Sequence, residues 1–132
     1  MYIDRLLNQG SNPLLEQWLK FTDTRQELLA EDVVNASTPG YIQKDLSVNG
    51  FEKQLAAKEA QTESTGPGAV DFNDISMDVK HPNSLLFHDG NNRSMEQLMT
   101  DQAKNALMHN LAVELLRRQF ATLDMALKER PA

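Results

Sequence analysis

The feature that most constrains this chain is a regular seam through its last third. Met95, Met99, Gln102, Ala106, His109, Val113, Leu116, Phe120, Leu123 and Leu127 fall at alternating spacings of four and three. That is a heptad, the repeat that keeps one stripe of an α-helix turned toward a partner helix. Ser94 with Gln97 three residues later matches a capping box at its start, and Pro131 stops it. A helix from Ser94 to Arg130 would be ~55 Å long at a rise of about 1.5 Å per residue. Such a length suits a rod-like hairpin better than a compact globule of 132 residues. The seam is weak in its first half, where it carries Gln102 and His109, and strongly apolar from Leu111 onward.

An apolar stripe needs a mate to bury it. Residues 13–36 supply one. Asn12 is suited to an N-cap and Pro13 to the first helical position, where its missing N–H is not needed. Leu14, Leu15, Trp18, Leu19, Phe21, Leu28, Leu29, Val33 and Ala36 recur at threes and fours around a polar centre at Thr22–Gln26. Pro39 ends this helix, because the residue before a proline is pushed out of the helical region, and Gly40 permits the turn. The expected fold is mainly α, a coiled-coil-like hairpin of two long N- and C-terminal helices with a short irregular, β-containing middle. Leu15, Trp18, Leu28 and Val33 on the first helix, with Val113, Leu116, Phe120, Leu123 and Leu127 on the second, are the candidate helix interface. Periodicity alone favours a plain antiparallel domain that uses both stripes as its own core.

The chain divides by composition into residues 1–42 (helix and turn), 43–90 (a variable, partly flexible middle) and 91–132 (the second helix). In the middle, Leu46, Val48 and Phe51 fit an extended stretch and Glu52–Ala60 a short helix. Residues 61–69 are small, polar and rich in breakers, which predicts a flexible loop. Val70 and Phe72, then Ile75, Met77 and Val79, alternate with polar residues, the pattern of two short strands. Asp89-Gly90-Asn91-Asn92 is a turn signal.

Composition excludes several functions. The net charge is −6, and basic residues nowhere cluster into the patch that nucleic acid requires. There is no cysteine, hence no disulfide and no thiolate metal site. No apolar run approaches the ~20 residues of a membrane span. The stretch Met1–Leu7 lacks a basic region followed by a long apolar core, so no cleavable signal peptide is expected. His81, His88 and Asp89 match no metal-ligand spacing, and His109 reads as an interfacial polar residue. No nucleophile elbow or phosphate-binding glycine loop occurs. Neither catalysis nor a cofactor, metal or small-molecule substrate is expected.

The segment Leu29-Ala30-Glu31-Asp32-Val33-Val34-Asn35-Ala36-Ser37-Thr38-Pro39-Gly40-Tyr41 resembles the N-terminal signature of flagellar basal-body rod and hook proteins, close to L-A-x-N-I-A-N-A-x-T-P-G-Y. Leu29, Ala30, Asn35, Ala36, Thr38, Pro39, Gly40 and Tyr41 match; Asp32 replaces an Asn and Val34 an Ala. Arg25-Gln26-Glu27 before the signature, Asp89–Asn92 leading into the last helix, and the short length are most similar to the proximal rod members of that family. The resemblance covers roughly residues 13–48 and 86–130.

What the resemblance implies is a structural subunit that polymerises through its terminal helices into the tubular rod that transmits motor torque. Those helices would be loosely ordered in the monomer and would fold against neighbours. It further implies export through the flagellar type III channel without a cleaved signal, and a place in the basal body across the periplasmic space. Its partners would be other copies, other rod proteins, and inner-membrane-ring and export-gate components. The competing reading is a cytoplasmic helical adaptor or secretion chaperone built on the same amphipathic helices.

Overall fold

The computed structural model describes residues 12–66, 68–80 and 95–129. The Ser94 cap, the Pro131 stop, the Asp89–Asn92 turn, His81 and His88 lie outside them. The described elements are α1 (Asn12–Val34), β1 (Asp45–Leu46), α2 (Val48–Thr65), β2 (Val79–Lys80) and α3 (Met95–Lys128). The chain is mainly helical, with long helices toward each end and a short middle carrying two small strands.

The two strands pair antiparallel, Asp45 opposite Lys80 and Leu46 opposite Val79. This is less β-structure than the alternation over Val70–Val79 predicts. The reason lies in α2, where the Gln54 side chain takes the place of a strand. Its Nε2 donates to the Ser76 carbonyl at 3.0 Å, and its Oε1 accepts the Ser76 N–H at 2.9 Å. A backbone satisfied in this way needs no ladder. The alternation still decides burial, because Ile75 is buried and Met77 half-buried.

The α2 helix is longer at both ends than Glu52–Ala60. Ser47 caps it, with Oγ accepting the Gly50 N–H at 3.2 Å, so Val48 and Phe51 are helical rather than extended. At the other end the polar run 61–65 stays helical, and Thr62 and Thr65 return their hydroxyls to the carbonyls of Lys58 and Gln61. The stop comes at Gly66, whose φ of +94° only glycine adopts freely.

The core gathers α1, β1, α2 and the segment before β2. Phe21, Leu46, Phe51, Leu55 and Ile75 are buried together, and Leu14, Trp18, Leu28, Val48, Phe72 and Met77 pack on them. Phe21 and Phe51 stack with centroids 4.1 Å apart, and Trp18 meets Phe51 edge-on at 5.1 Å. Arg25 and Asp45 add an ion pair across α1 and β1. Its two bonds, Nε to Oδ1 at 2.8 Å and Nη2 to Oδ2 at 3.0 Å, form the fork that suits guanidinium and carboxylate. Burial opposes the Arg25 charge, but the Asp45 bonds and charge, with a contribution from Asp101 on α3, outweigh it and hold the guanidinium above its ordinary pKa.

The α1 helix therefore has two working faces. Leu14, Trp18, Phe21, Arg25 and Leu28, spaced by fours and threes, meet the middle segment. Leu15, Thr22 and Leu29, spaced by sevens, form the buried side turned to α3. A single apolar stripe is the expectation from sequence; the structure divides it because the middle is a packing partner in its own right.

Candidate assembly interface

Two features of the described residues carry the candidate surface. One is the α1–α3 hairpin; the other is the turn after α1.

Along the hairpin, α3 runs antiparallel to α1, and a polar layer holds them together. Asn105 is buried, and its Nδ2 donates to the Thr22 carbonyl at 2.8 Å and to Gln26 Oε1 at 3.0 Å. Thr22 Oγ1 donates to the Trp18 carbonyl at 2.9 Å and lies 2.9 Å from His109 Nδ1. With the hydroxyl hydrogen committed to the carbonyl, the ring Nδ1–H donates to Thr22. The polar centre Thr22–Gln26 and the seam residue His109 thus meet each other. Buried side-chain pairs of this kind fix helix register, at some cost to stability.

The buried positions of α3 are Leu98, Asn105 and Ala112, one heptad apart. In the first half this corrects the seam read from sequence. Met95 and Met99 are 44% and 47% exposed, and Ala106 faces solvent. Apolar periodicity points to the methionines because Asn105, the residue that sets the register, is polar and carries no signal in such a pattern. In the second half, His109, Val113, Leu116 and Leu123 are half-buried, whereas Phe120 is 41% and Leu127 53% exposed. On α1, Leu15 is buried and Val33 half-buried, while Trp18 and Leu28 pack on the middle core.

Outside this inner stripe lies a second, more apolar one. Leu107, Met108, Leu111 and Leu115 are exposed on α3. Beside them runs a groove of about 440 Å³, whose walls include Leu14, Leu15 and Trp18 of α1 with Leu111 and Leu115. The helix thus packs a mixed polar and apolar stripe inward and leaves an oilier stripe on the surface. Contiguous exposed apolar surface of this kind marks interaction sites.

The signature turn is bound up by its own side chains. The Asn35 N–H and Nδ2 both donate to the Glu31 carbonyl, at 3.0 and 2.9 Å, closing the helix. The Thr38 N–H donates to Asn35 and the Tyr41 N–H to Thr38. The second is a β-turn with Pro39 and Gly40 at its centre, and Gly40 has φ +77°, the type II arrangement. Leu29 is buried, Asn35, Ala36 and Tyr41 are half-buried, and Ala30, Thr38, Pro39 and Gly40 are exposed. Val34 and Ile42 stand exposed on either side of the turn.

Asp32 links this turn to the body. It is fully buried, and its Oδ1 accepts the Tyr41 hydroxyl at 3.1 Å and the Lys44 N–H at 3.0 Å. Desolvation, then the hydrogen bond to Asp32 and its charge, push the Tyr41 phenol up to about 12. Against the signature, Asp32 is only a departure from Asn. An Asn in its place keeps a carbonyl oxygen able to accept the same two bonds.

The chain aligns over 126 residues with the flagellar basal body rod protein FlgB of Bacillus subtilis (strain 168), at 27% identity, covering 92% of this chain and 95% of that protein. This chain is similar to FlgB. The similarity extends through the middle segment, beyond the two ends that carry the motifs. No protein-family model matches the chain. Among the described residues no group of acidic and histidine side chains is placed to hold a metal ion. No described helix is long and apolar enough to cross a membrane.

Proposed function

We infer that the chain is a structural subunit of the bacterial flagellar rod, of the proximal-rod kind, and acts by assembly rather than catalysis. The observation that carries this reading is the exposed apolar stripe Leu107, Met108, Leu111 and Leu115 on α3. Similarity to FlgB along 92% of the chain supports it. In this account the middle segment and α1 form a folded base, and α3 offers its outer face to neighbouring copies and to other rod proteins. The tube so built would transmit torque. Its base would adjoin the inner-membrane ring and export gate, and the subunit would reach the periplasmic space through the flagellar export channel. The division into two terminal helices around a variable middle follows the same logic: the ends assemble and the middle braces them.

The test is recovery of the protein in purified basal bodies. A strain lacking it should make no rod and should not swim. A protein found only in the cytoplasm, as a small defined oligomer with an exported client, would favour the adaptor reading instead.

A further inference from the structure

Another cavity lies where the first turns of α1 meet the end of α2 and the segment before β2. Glu16, Gln17, Thr62, Asp71, Phe72 and Asn73 stand in its walls. It measures about 100 Å³. Small-molecule pockets begin near ~300 Å³, so this one has room for a side chain and not for a cofactor. Its walls carry two carboxylates, Glu16 and Asp71, and no basic residue. Among the described residues neither carboxylate has a cationic partner; Asp71 Oδ1 accepts only the Asn73 N–H, at 2.9 Å. Gln17 adds the second observation. It is 4% exposed, and its side-chain amide has no hydrogen-bond partner among the described residues. Buried amides are almost always bonded, so Gln17 calls for an occupant that hydrogen-bonds. The two carboxylates call for a cation. A guanidinium meets both demands, and Phe72 offers it an aromatic ring.

The chain also presents such a cation. Arg118 follows Leu111 by one heptad and so shares the outer stripe of α3. Its side chain is 73% exposed, and its contact with Glu114, at 3.5 Å, is a loose pair in solvent. The groove beside the stripe is walled by Leu14 and Leu15 together with Leu115 and Gln119, which sets Arg118 level with the first turn of α1. Pro13 and Glu16 of that turn border the acidic cavity. In copies standing side by side, the arginine of one is therefore at the height of the cavity of the next. We propose that this cavity receives the Arg118 side chain of a second copy, its guanidinium donating to Glu16, Asp71 and Gln17 Oε1. The proposal rests on the rod reading and names the surface that the outer stripe meets, the first turns of α1 with the middle segment. Knob and socket lie on different faces, so the contact is heterologous, the kind that continues from copy to copy.

The test is a mutant cycle on the full chain, each variant being the sole copy in its strain. The readout is the amount recovered per purified basal body, with folding checked by circular dichroism; all three side chains are exposed, so the variants should fold. Glu16→Gln with Asp71→Asn leaves the arriving guanidinium without a counter-charge, and Arg118→Gln leaves two carboxylates covered and unpaired. Each should lower recovery about tenfold or more. The three changes together remove the same contact once, so the triple variant should be recovered at least as well as either parent. Arg117→Gln, one residue away, should be recovered as wild type. Losses that multiply in the triple variant would overturn the proposal, as would wild-type recovery of Arg118→Gln. If only the cavity variant is lost, the cation comes from another rod protein and the second-copy contact is wrong. Absence of the wild-type protein from basal bodies would instead sink the rod reading, and this contact with it.

Discussion

At the scale of single residues, buried polar groups do more to shape this molecule than its apolar pattern suggests. Asp32 is the clearest case. Asp32→Ala strands the Lys44 N–H and the Tyr41 hydroxyl and should cost about 1–3 kcal/mol in denaturant unfolding. Asp32→Asn should lose far less, since its oxygen accepts both bonds; equal losses would mean the charge, not the geometry, matters. The Tyr41 phenol offers a pH test. Its folded pKa, about 12, lies above its unfolded value near 10. The unfolded chain therefore loses this proton first, and the contribution present below pH ~10 fades as pH rises toward 12. The difference between absorbance titrations of the protein and of Tyr41→Phe should place this phenol near 12; a midpoint near 10 would mean the Asp32 contact is absent in solution. Arg25 and Asp45 form the other polar anchor. Both are largely buried, so Asp45→Ala, which leaves the guanidinium unpaired, should cost about 3–5 kcal/mol. Pro39 and Gly40 could be read from the sequence because their backbone preferences are local. Asp32 and Arg25 could not, because their partners lie many residues away.

At the scale of elements, the two long helices follow from periodicity, but which face each one buries does not. Heptad spacing gives a stripe and leaves its phase open when polar residues share it. Here Asn105, bonded to Thr22 and Gln26, sets the phase and puts Leu98 and Ala112 inside, and Met95 and Met99 outside. Asn105→Ala should lower the stability of the isolated subunit by about 1–3 kcal/mol. An unchanged unfolding curve would mean that the hairpin closes only on assembly. In the middle segment, composition suggested a loop where α2 continues, since polar residues do not end a helix unless a residue such as Gly66 does. Alternation predicts more strand than forms for a related reason: it reports burial, and at Ser76 the Gln54 side chain supplies the hydrogen bonds that a ladder would make.

At the scale of the whole molecule, one half is self-sufficient and the other is presented outward. Phe21, Leu46, Phe51, Leu55 and Ile75 bind α1 to the middle, so α1 has a buried face before any neighbour arrives. Phe51→Ala should cost about 3–5 kcal/mol and speed hydrogen exchange along α1 as well as α2. Beyond this base stands the outer stripe of α3, and the central claim is that this stripe joins one subunit to the next. Leu111 is 59% exposed, so Leu111→Asp should change the stability of the isolated subunit by no more than ~0.5 kcal/mol. In an assembled wall the same carboxylate would be buried without a partner, at a cost of several kcal/mol. Glu114, exposed and 3.5 Å from Arg118, is the control, a surface pair worth ~0–1 kcal/mol. The deciding measurement is the amount of each variant recovered in purified basal bodies, with the folding of each checked by circular dichroism. The account predicts that Leu111→Asp folds but is absent from them and that Glu114→Ala is present as wild type. Normal recovery of Leu111→Asp would contradict it.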